Sequence, residues 1–157
     1  MEPEVLLLLP GDERQTASLW SSDPWPEPAS GYHPPPPQIL VVDDDPVVRR
    51  LIERMLLDGG YRVLCASHGA DALQAAREAA DPFDLTITDV RMPGMDGWEL
   101  GRRLTAHWPG LPVLYLSGFD GEVERFVHAR TPTVAFMTKP FRSEELLWRV
   151  AQLLDRA

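Results

Sequence analysis

Short apolar runs alternate with stretches of helical periodicity from residue 38 to the end of the chain. Five runs have the length and the β-branched content of buried strands; they cover residues 39–42, 61–66, 84–88, 113–116 and 133–137. Apolar residues at helical spacing predict five helices; these begin at residue 46 and near residues 70, 97, 121 and 143. Alternation of this kind predicts an α/β protein with a doubly wound, five-stranded parallel sheet.

The first predicted helix has clear sequence signals at both ends. Asp45 provides an N-cap side chain and Pro46 suits the first helical position. Gly59 and Gly60 then favour a stop. We therefore assign Asp45 to helix capping and not to chemistry.

The segment before Gln38 has a different composition. It holds nine of the sixteen prolines, four of them consecutive at residues 34–37, and it has little apolar periodicity. Such a segment buries too little surface to offset its ordering entropy. We predict a disordered or polyproline-like tail over residues 1–37 and one domain over residues 38–157, with partner docking through Trp20 and Trp25 as the alternative role of the tail.

Charge and cysteine content restrict the class of protein. The net charge of −9 and a pI near 4.8 argue against a nucleic-acid groove, which needs a basic stripe. A single cysteine, Cys65, excludes an internal disulfide and fits a reducing compartment. The apolar run at residues 5–9 is too short to span a bilayer. We expect a cytoplasmic protein without a direct nucleic-acid or membrane partner.

Polar side chains stand at the ends of four of the predicted strands. They are Asp43 with Asp44, then Asp89, Ser117 and Lys139. Ligands of open parallel sheets bind outside the carboxyl ends of the strands, so these groups are predicted to share one pocket.

The residue types in that pocket indicate phosphoryl transfer. Clustered carboxylates repel one another unless a cation lies between them, and oxygen ligands suit Mg²⁺. Lys139 is the single lysine in a chain that has fourteen arginines, which suggests that its position requires a compact charge. Carboxylates, a divalent cation, the Ser117 hydroxyl and an ammonium together favour phosphoryl transfer by positioning and charge neutralisation.

Four motifs in this order resemble the receiver domain of two-component response regulators. They are Val41-Val42-Asp43-Asp44-Asp45-Pro46, Thr88-Asp89-Val90-Arg91-Met92-Pro93-Gly94-Met95-Asp96-Gly97, Leu116-Ser117-Gly118 and Thr138-Lys139-Pro140-Phe141. The resemblance covers residues 38–157 and implies a flavodoxin-like sheet of strand order 2-1-3-4-5.

The resemblance also implies a role for each site residue. Asp89 would be the phospho-acceptor, and the Mg²⁺ ligands would be Asp43, Asp44, Asp89 and the backbone carbonyl of Arg91. Ser117 and Lys139 would bind the phosphoryl group.

Two further features follow from the same resemblance. The Lys139–Pro140 peptide would be cis. Phe136 would occupy the aromatic switch position; since it lacks a hydroxyl, any switch there must work by packing.

The resemblance implies partner proteins and no enzyme activity beyond the domain's own phosphorylation and dephosphorylation. The donor would be a histidine kinase or a histidine phosphotransfer protein, and the signal would pass to a downstream effector. No histidine of the chain has the acidic neighbour of a kinase's phosphorylated histidine. Because nothing follows the last predicted helix, we expect no DNA-binding output, and either a stand-alone receiver or a receiver cut from a hybrid histidine kinase.

Two other readings stay open on the residues. Asp43, Asp45 and Val47 also fit the first motif of haloacid-dehalogenase-like phosphatases, in which Asp43 would be the nucleophile. That reading leaves Asp89 without a role and lacks the later acidic pair. The second alternative is a receiver fold that serves as a binding module without phosphorylation; the intact acidic site argues against it.

Overall fold

Five strands and four helices are present in a computed structural model that describes residues 34–118 and 132–156. In chain order they are β1 Gln38–Val42, α1 Pro46–Asp58, β2 Arg62–Ala66, α2 Gly69–Glu78, β3 Leu85–Asp89, α3 Gly97–His107, β4 Val113–Ser117, β5 Val134–Thr138 and α4 Ser143–Arg156. They belong to the unit Pro36–Ala157. The helix predicted near residue 121 and nearly all of the predicted tail lie outside the described residues.

All five strands are parallel, and their order in the sheet is β2-β1-β3-β4-β5. The predicted α/β class and the predicted strand order, 2-1-3-4-5, are therefore confirmed. The strand ends differ from the prediction by one residue. β3 continues through Asp89 and β4 through Ser117, so both residues are the last of a strand and their backbones are held by the sheet.

Apolar side chains alternate across the sheet and form a core on each face. Ile39 and Val41 of β1 pack on the face covered by α1 and α4, while Leu40 and Val42 pack on the face covered by α2 and α3. The helices contribute fully buried leucines, Leu56 and Leu146 on the first face and Leu100 and Leu104 on the second. A strand that is buried on both faces cannot shift its register without exposing apolar side chains.

Side-chain and backbone caps fix where the helices begin and end. The Asp45 carboxylate accepts hydrogen bonds from the amides of Val47 and Val48 at 2.9 and 3.5 Å, as the sequence predicts. Gly59 caps the other end of α1. In α4 the carbonyl of Arg142 accepts the first intrahelical bond, so Ser143 is already helical and does not occupy the expected cap position.

Within residues 34–118 and 132–156, none of the helices combines the length and the apolar character that crossing a bilayer requires.

Candidate functional site

Three carboxylates meet at the carboxyl end of the sheet. Asp43 and Asp44 follow β1, and Asp89 ends the neighbouring strand β3; one oxygen from each side chain lies within 4.8 Å of the others. Asp43 and Asp89 are buried, while Asp44 is partly exposed. Two parallel neighbouring strands that end at the same level produce this cluster, as the sequence pattern predicts.

Lys139 bridges the two buried carboxylates. Its Nζ atom lies 3.1 Å from Oδ2 of Asp43 and 3.2 Å from Oδ1 of Asp89. Lys139 directly follows β5, and its amide donates to the Ser117 carbonyl at 2.8 Å, which continues the sheet beyond the strand. The Lys139–Pro140 peptide is cis, as the resemblance implies.

Charge is unbalanced in this pocket, since three carboxylates face one ammonium. Burial raises the pKa of Asp89; the positive charge of Lys139 opposes that effect, and the negative charges of Asp43 and Asp44 add to it. For Lys139, burial alone would lower the pKa, but its hydrogen bond to Asp43 and the charges of Asp43 and Asp89 raise it. The ammonium is therefore protonated at neutral pH, and the carboxyl groups of the cluster outnumber it three to one.

The donor set fits Mg²⁺. Its groups are oxygens only, they are close enough to share one ion, and one carboxylate is open to solvent for a cation that keeps several waters. A divalent cation would also neutralise the excess charge.

The loop between β3 and α3 holds Asp89 at the mouth of the pocket. A β-carbon on Gly97 would collide with the Asp89 carbonyl oxygen, and the Gly97 amide donates to the Val90 carbonyl at 2.8 Å. The Asp96 carboxylate caps α3 by accepting from the Glu99 amide at 2.9 Å. The sequence Asp96-Gly97 therefore lets the chain turn back on the strand end that carries Asp89.

The remaining predicted site residues are placed around this centre. Ser117 is buried at the end of β4, directly after Leu116, which pairs with Asp89. Arg91 lies two positions after Asp89 and is exposed. Phe136 lies in β5 and pairs with Tyr115 of β4.

Sequence reasoning missed two parts of the site. The first is an aromatic cluster, in which the ring of Tyr115 stacks on Phe136 at 5.5 Å and lies 4.3 Å from the ring of Trp98. The second is Arg49 of α1, whose Nη1 atom donates to the Asp43 carbonyl at 2.7 Å. Phe136 alone was predicted here, because cross-strand neighbours depend on register and not on spacing along the chain.

Cys65 lies in β2 and is partly buried, at the strand position that the sequence predicts. Burial, and secondly the negative charge of Glu53, raise the pKa of its thiol to about 11. A thiol with such a pKa is protonated at neutral pH.

Comparison with known protein families gives one match over most of the chain. The family is described as "Response regulator receiver domain", and its model matches residues 39–151.

Curated relatives agree over part of their length. Response regulator MprA of Mycobacterium leprae (strain TN) is 40% identical over 109 residues, which are 69% of this chain and 47% of the relative. MprA of Mycobacterium tuberculosis (strain ATCC 25177 / H37Ra) is also 40% identical, over 69% of this chain and 46% of the relative. The chain spans about half the length of the curated relatives it matches.

Solved structures of receiver domains match nearly end to end. The receiver domain from hybrid histidine kinase CckA is 37% identical, with a TM-score of 0.63 over 74% of this chain and 98% of that one. A response regulator receiver domain protein from Clostridium thermocellum is 26% identical, with a TM-score of 0.70 over 76% of this chain and 95% of that one.

Proposed function

Because the chain belongs to the receiver domain family of two-component response regulators, we propose that Asp89 accepts a phosphoryl group from a phosphohistidine on a partner protein. The observation that carries this proposal is the position of Asp89. It ends a central strand, one of its oxygens lies 3.2 Å from the Lys139 ammonium, and two more carboxylates lie beside it. A nucleophile, a cationic group and a set of metal ligands thus converge at one point.

In the proposed reaction a carboxylate oxygen of Asp89 attacks the phosphorus atom. The new O–P bond forms as the P–N bond of phosphohistidine breaks, and the imidazole nitrogen keeps the electron pair. Lys139 is placed to turn from its two carboxylates to a phosphoryl oxygen, and the Ser117 hydroxyl supplies a donor at the neighbouring strand end. Mg²⁺ held by Asp43, Asp44, Asp89 and the Arg91 carbonyl would neutralise charge on the phosphoryl oxygens. Water later releases phosphate from Asp89.

The proposed partners follow from this chemistry. The chain supplies the acceptor carboxylate, and the donor is a histidine kinase or a histidine phosphotransfer protein. The output is a conformational change around Ser117 and Phe136 that an effector protein reads, and the proposed setting is the cytoplasm. In this role the chain catalyses only its own phosphorylation and dephosphorylation.

Two contacts of Asp43 favour a supporting role over the nucleophile role that the phosphatase alternative requires. Its Oδ2 atom contacts Lys139, and its Oδ1 atom accepts from the Asp45 amide at 2.9 Å. Both oxygens of Asp43 therefore have protein partners, Lys139 after β5 and the Asp45 amide in its own loop, whereas Asp89 ends its strand at the edge of the pocket.

Intact-mass spectrometry after incubation with acetyl phosphate tests the proposal. With Mg²⁺ the wild-type chain should gain the mass of one phosphoryl group, and with a chelator it should gain none. Asp89→Asn should gain none in either condition. Asp58→Asn, a change at an exposed aspartate at the end of α1, serves as the matched control and should behave as wild type. A wild-type chain that binds Mg²⁺ and stays unmodified would favour a binding module instead.

A further inference from the structure

Arg49 ties the loop that carries the metal-binding acids to helix α1. Its guanidinium Nη1 atom donates to the Asp43 carbonyl at 2.7 Å, and its amide donates to the Asp45 carbonyl at 2.9 Å. The second bond is the first of the α1 ladder and would form with any residue except proline at position 49, so the contact specific to arginine is the side-chain bond to the Asp43 carbonyl. Arg49 is half-buried, whereas the next residue, Arg50, is exposed.

The bond to the Asp43 carbonyl constrains Asp44 through the rigid peptide plane. That carbonyl and the Asp44 amide belong to one planar unit, so anchoring the oxygen fixes the plane from which the Asp44 side chain departs. Asp43 has further restraints of its own, because its amide donates to the Ala66 carbonyl and its carboxylate contacts Lys139. Asp44 is the partly exposed member of the cluster, and the bond from the Arg49 side chain to the Asp43 carbonyl restrains the peptide that leads into it.

The bond has the features of a strong one. It is short, its donor is charged, and it is partly shielded from solvent. It also satisfies a carbonyl that belongs neither to the β1 ladder nor to the α1 hydrogen-bond ladder.

We propose that Arg49 is a positioning residue for the Mg²⁺ site, acting through the Asp43–Asp44 peptide and not through contact with the ion. This inference rests on the proposed function, because it concerns the same metal site. It assigns the Arg49 side chain a role that is separate from the ligand set.

When Arg49 is replaced by a neutral residue, an electrostatic role and a positioning role predict opposite changes in Mg²⁺ affinity. A guanidinium near the pocket repels a cation, so removing its charge alone would tighten Mg²⁺ binding. If Arg49 instead holds the Asp44 carboxylate in the binding geometry, a replacement that cannot make the bond leaves part of the free energy of Mg²⁺ binding to be used in ordering the loop, and binding weakens. The lower end of the net contribution of a hydrogen bond to a charged group corresponds to a weakening of about tenfold in the Kd for Mg²⁺.

Isothermal titration calorimetry of Mg²⁺ into the full chain distinguishes the positioning role of Arg49 from a purely electrostatic one. Arg49→Gln should raise the Kd about tenfold, and Arg49→Lys, which keeps a charged donor, should recover most of that loss. Arg50→Gln removes the same charge from the adjacent, exposed position and should leave the Kd at or slightly below that of wild type. Melting curves without Mg²⁺ report separately on the stability of each variant.

A Kd for Arg49→Gln at or below that of Arg50→Gln would overturn the proposal. If Arg49→Gln is unfolded, Arg49→Met, which keeps the aliphatic stem, takes its place with the same expected Kd. If neither variant folds, Arg49 supports the fold as a whole and the positioning role is rejected. Failure of the wild-type chain itself to bind Mg²⁺ would instead contradict the proposed function.

Discussion

The hydroxyl of Tyr115 lies directly over Gly101 of α3, in the space that a β-carbon at that position would occupy. The Tyr115 ring is buried between β4 and α3, where it contacts Trp98 and Phe136. Burial, and secondly the charge of Asp96, raise the pKa of Tyr115 to about 12, so the hydroxyl keeps its proton at neutral pH. A glycine inside a helix is therefore required here by the aromatic cluster.

Gly101→Ala should destabilise the domain, although alanine is the better helix former. The added methyl group must displace the Tyr115 ring, and overpacking of this kind costs about 1–3 kcal/mol. Tyr115→Phe removes the colliding oxygen but leaves the ring, so the same alanine should cost clearly less in that background. Urea denaturation of wild type, the two single variants and the double variant gives the coupling energy between positions 101 and 115. Equal costs in both backgrounds would mean that Tyr115 does not restrict position 101.

A second pair of residues tests hydrogen bonding within β3. Both Thr86 and Thr88 are fully buried; Thr88 Oγ1 bonds to the Asp89 carbonyl at 3.0 Å, whereas Thr86 Oγ1 has no hydrogen-bond partner among the described residues. Thr86→Val removes an unsatisfied hydroxyl and should stabilise the domain by about 1 kcal/mol. Thr88→Val, the matched control, should destabilise it by a similar amount. Chemical denaturation of both variants measures this, and a destabilising Thr86→Val would contradict the assignment.

The raised pKa of Asp89 makes its ionised form a cost to folding without metal. A carboxyl whose pKa is higher in the folded state than its ordinary value of 3.8 stabilises the fold at low pH, and this contribution is lost as the pH rises through the folded-state pKa. At neutral pH without Mg²⁺, Asp89→Asn should therefore be more stable than wild type.

The difference in unfolding free energy between Asp89→Asn and wild type should shrink as the pH falls through the folded-state pKa of Asp89. Saturating Mg²⁺ should reduce the stability advantage of Asp89→Asn, because the ion stabilises whichever protein binds it more tightly, and that is expected to be wild type. Urea titrations across acid to neutral pH, with and without Mg²⁺, measure both effects, and Asp58→Asn controls for net charge. A less stable Asp89→Asn at neutral pH would show that Lys139 outweighs the burial of the carboxylate.

Lys139→Arg should separate phosphorylation from its structural consequence. Lys139 reaches both Asp43 and Asp89 with a single atom, which a planar guanidinium on a longer side chain cannot reproduce. The variant should still accept a phosphoryl group, because in the proposed reaction Mg²⁺ would supply much of the charge neutralisation.

The same variant should lose the rearrangement around Ser117 and Phe136. Amide hydrogen exchange over residues 112–118 and 132–141, with and without beryllofluoride as a phosphoryl mimic, should show a smaller change in protection than in wild type. Arg142→Lys, at an exposed position in the same loop, is the control. A wild-type response from Lys139→Arg would show that charge alone is sufficient at this position.

Sequence patterns predicted the sheet and the cluster because both depend on position along the chain. Asp43, Asp44, Asp89 and Lys139 each stand at the end of an apolar run, and in a parallel sheet such ends meet at one edge. The helix cap at Asp45 was also predictable from the sequence, since it depends on residues within one helical turn.

Contacts that depend on tilt and register were not predictable. The bond from Arg49 to the Asp43 carbonyl requires a particular direction of α1 relative to β1. The salt bridge of Lys139 to Asp43, in addition to Asp89, depends on how far β5 extends past the other strands. The position of Tyr115 over Gly101 requires the packing of α3 on β4, which no spacing rule encodes.

We propose that Asp89, and no other carboxylate, carries the phosphoryl group, and locating the acyl phosphate within the chain distinguishes Asp89 from its neighbours. After reaction with acetyl phosphate and Mg²⁺, borohydride reduces an aspartyl phosphate to homoserine, and peptide mass spectrometry then locates that residue. We predict homoserine at position 89 alone, and none when Mg²⁺ is chelated. Homoserine at position 43 or 44, or a phosphorylated chain with Asp89 intact, would instead show that another residue accepts the phosphoryl group.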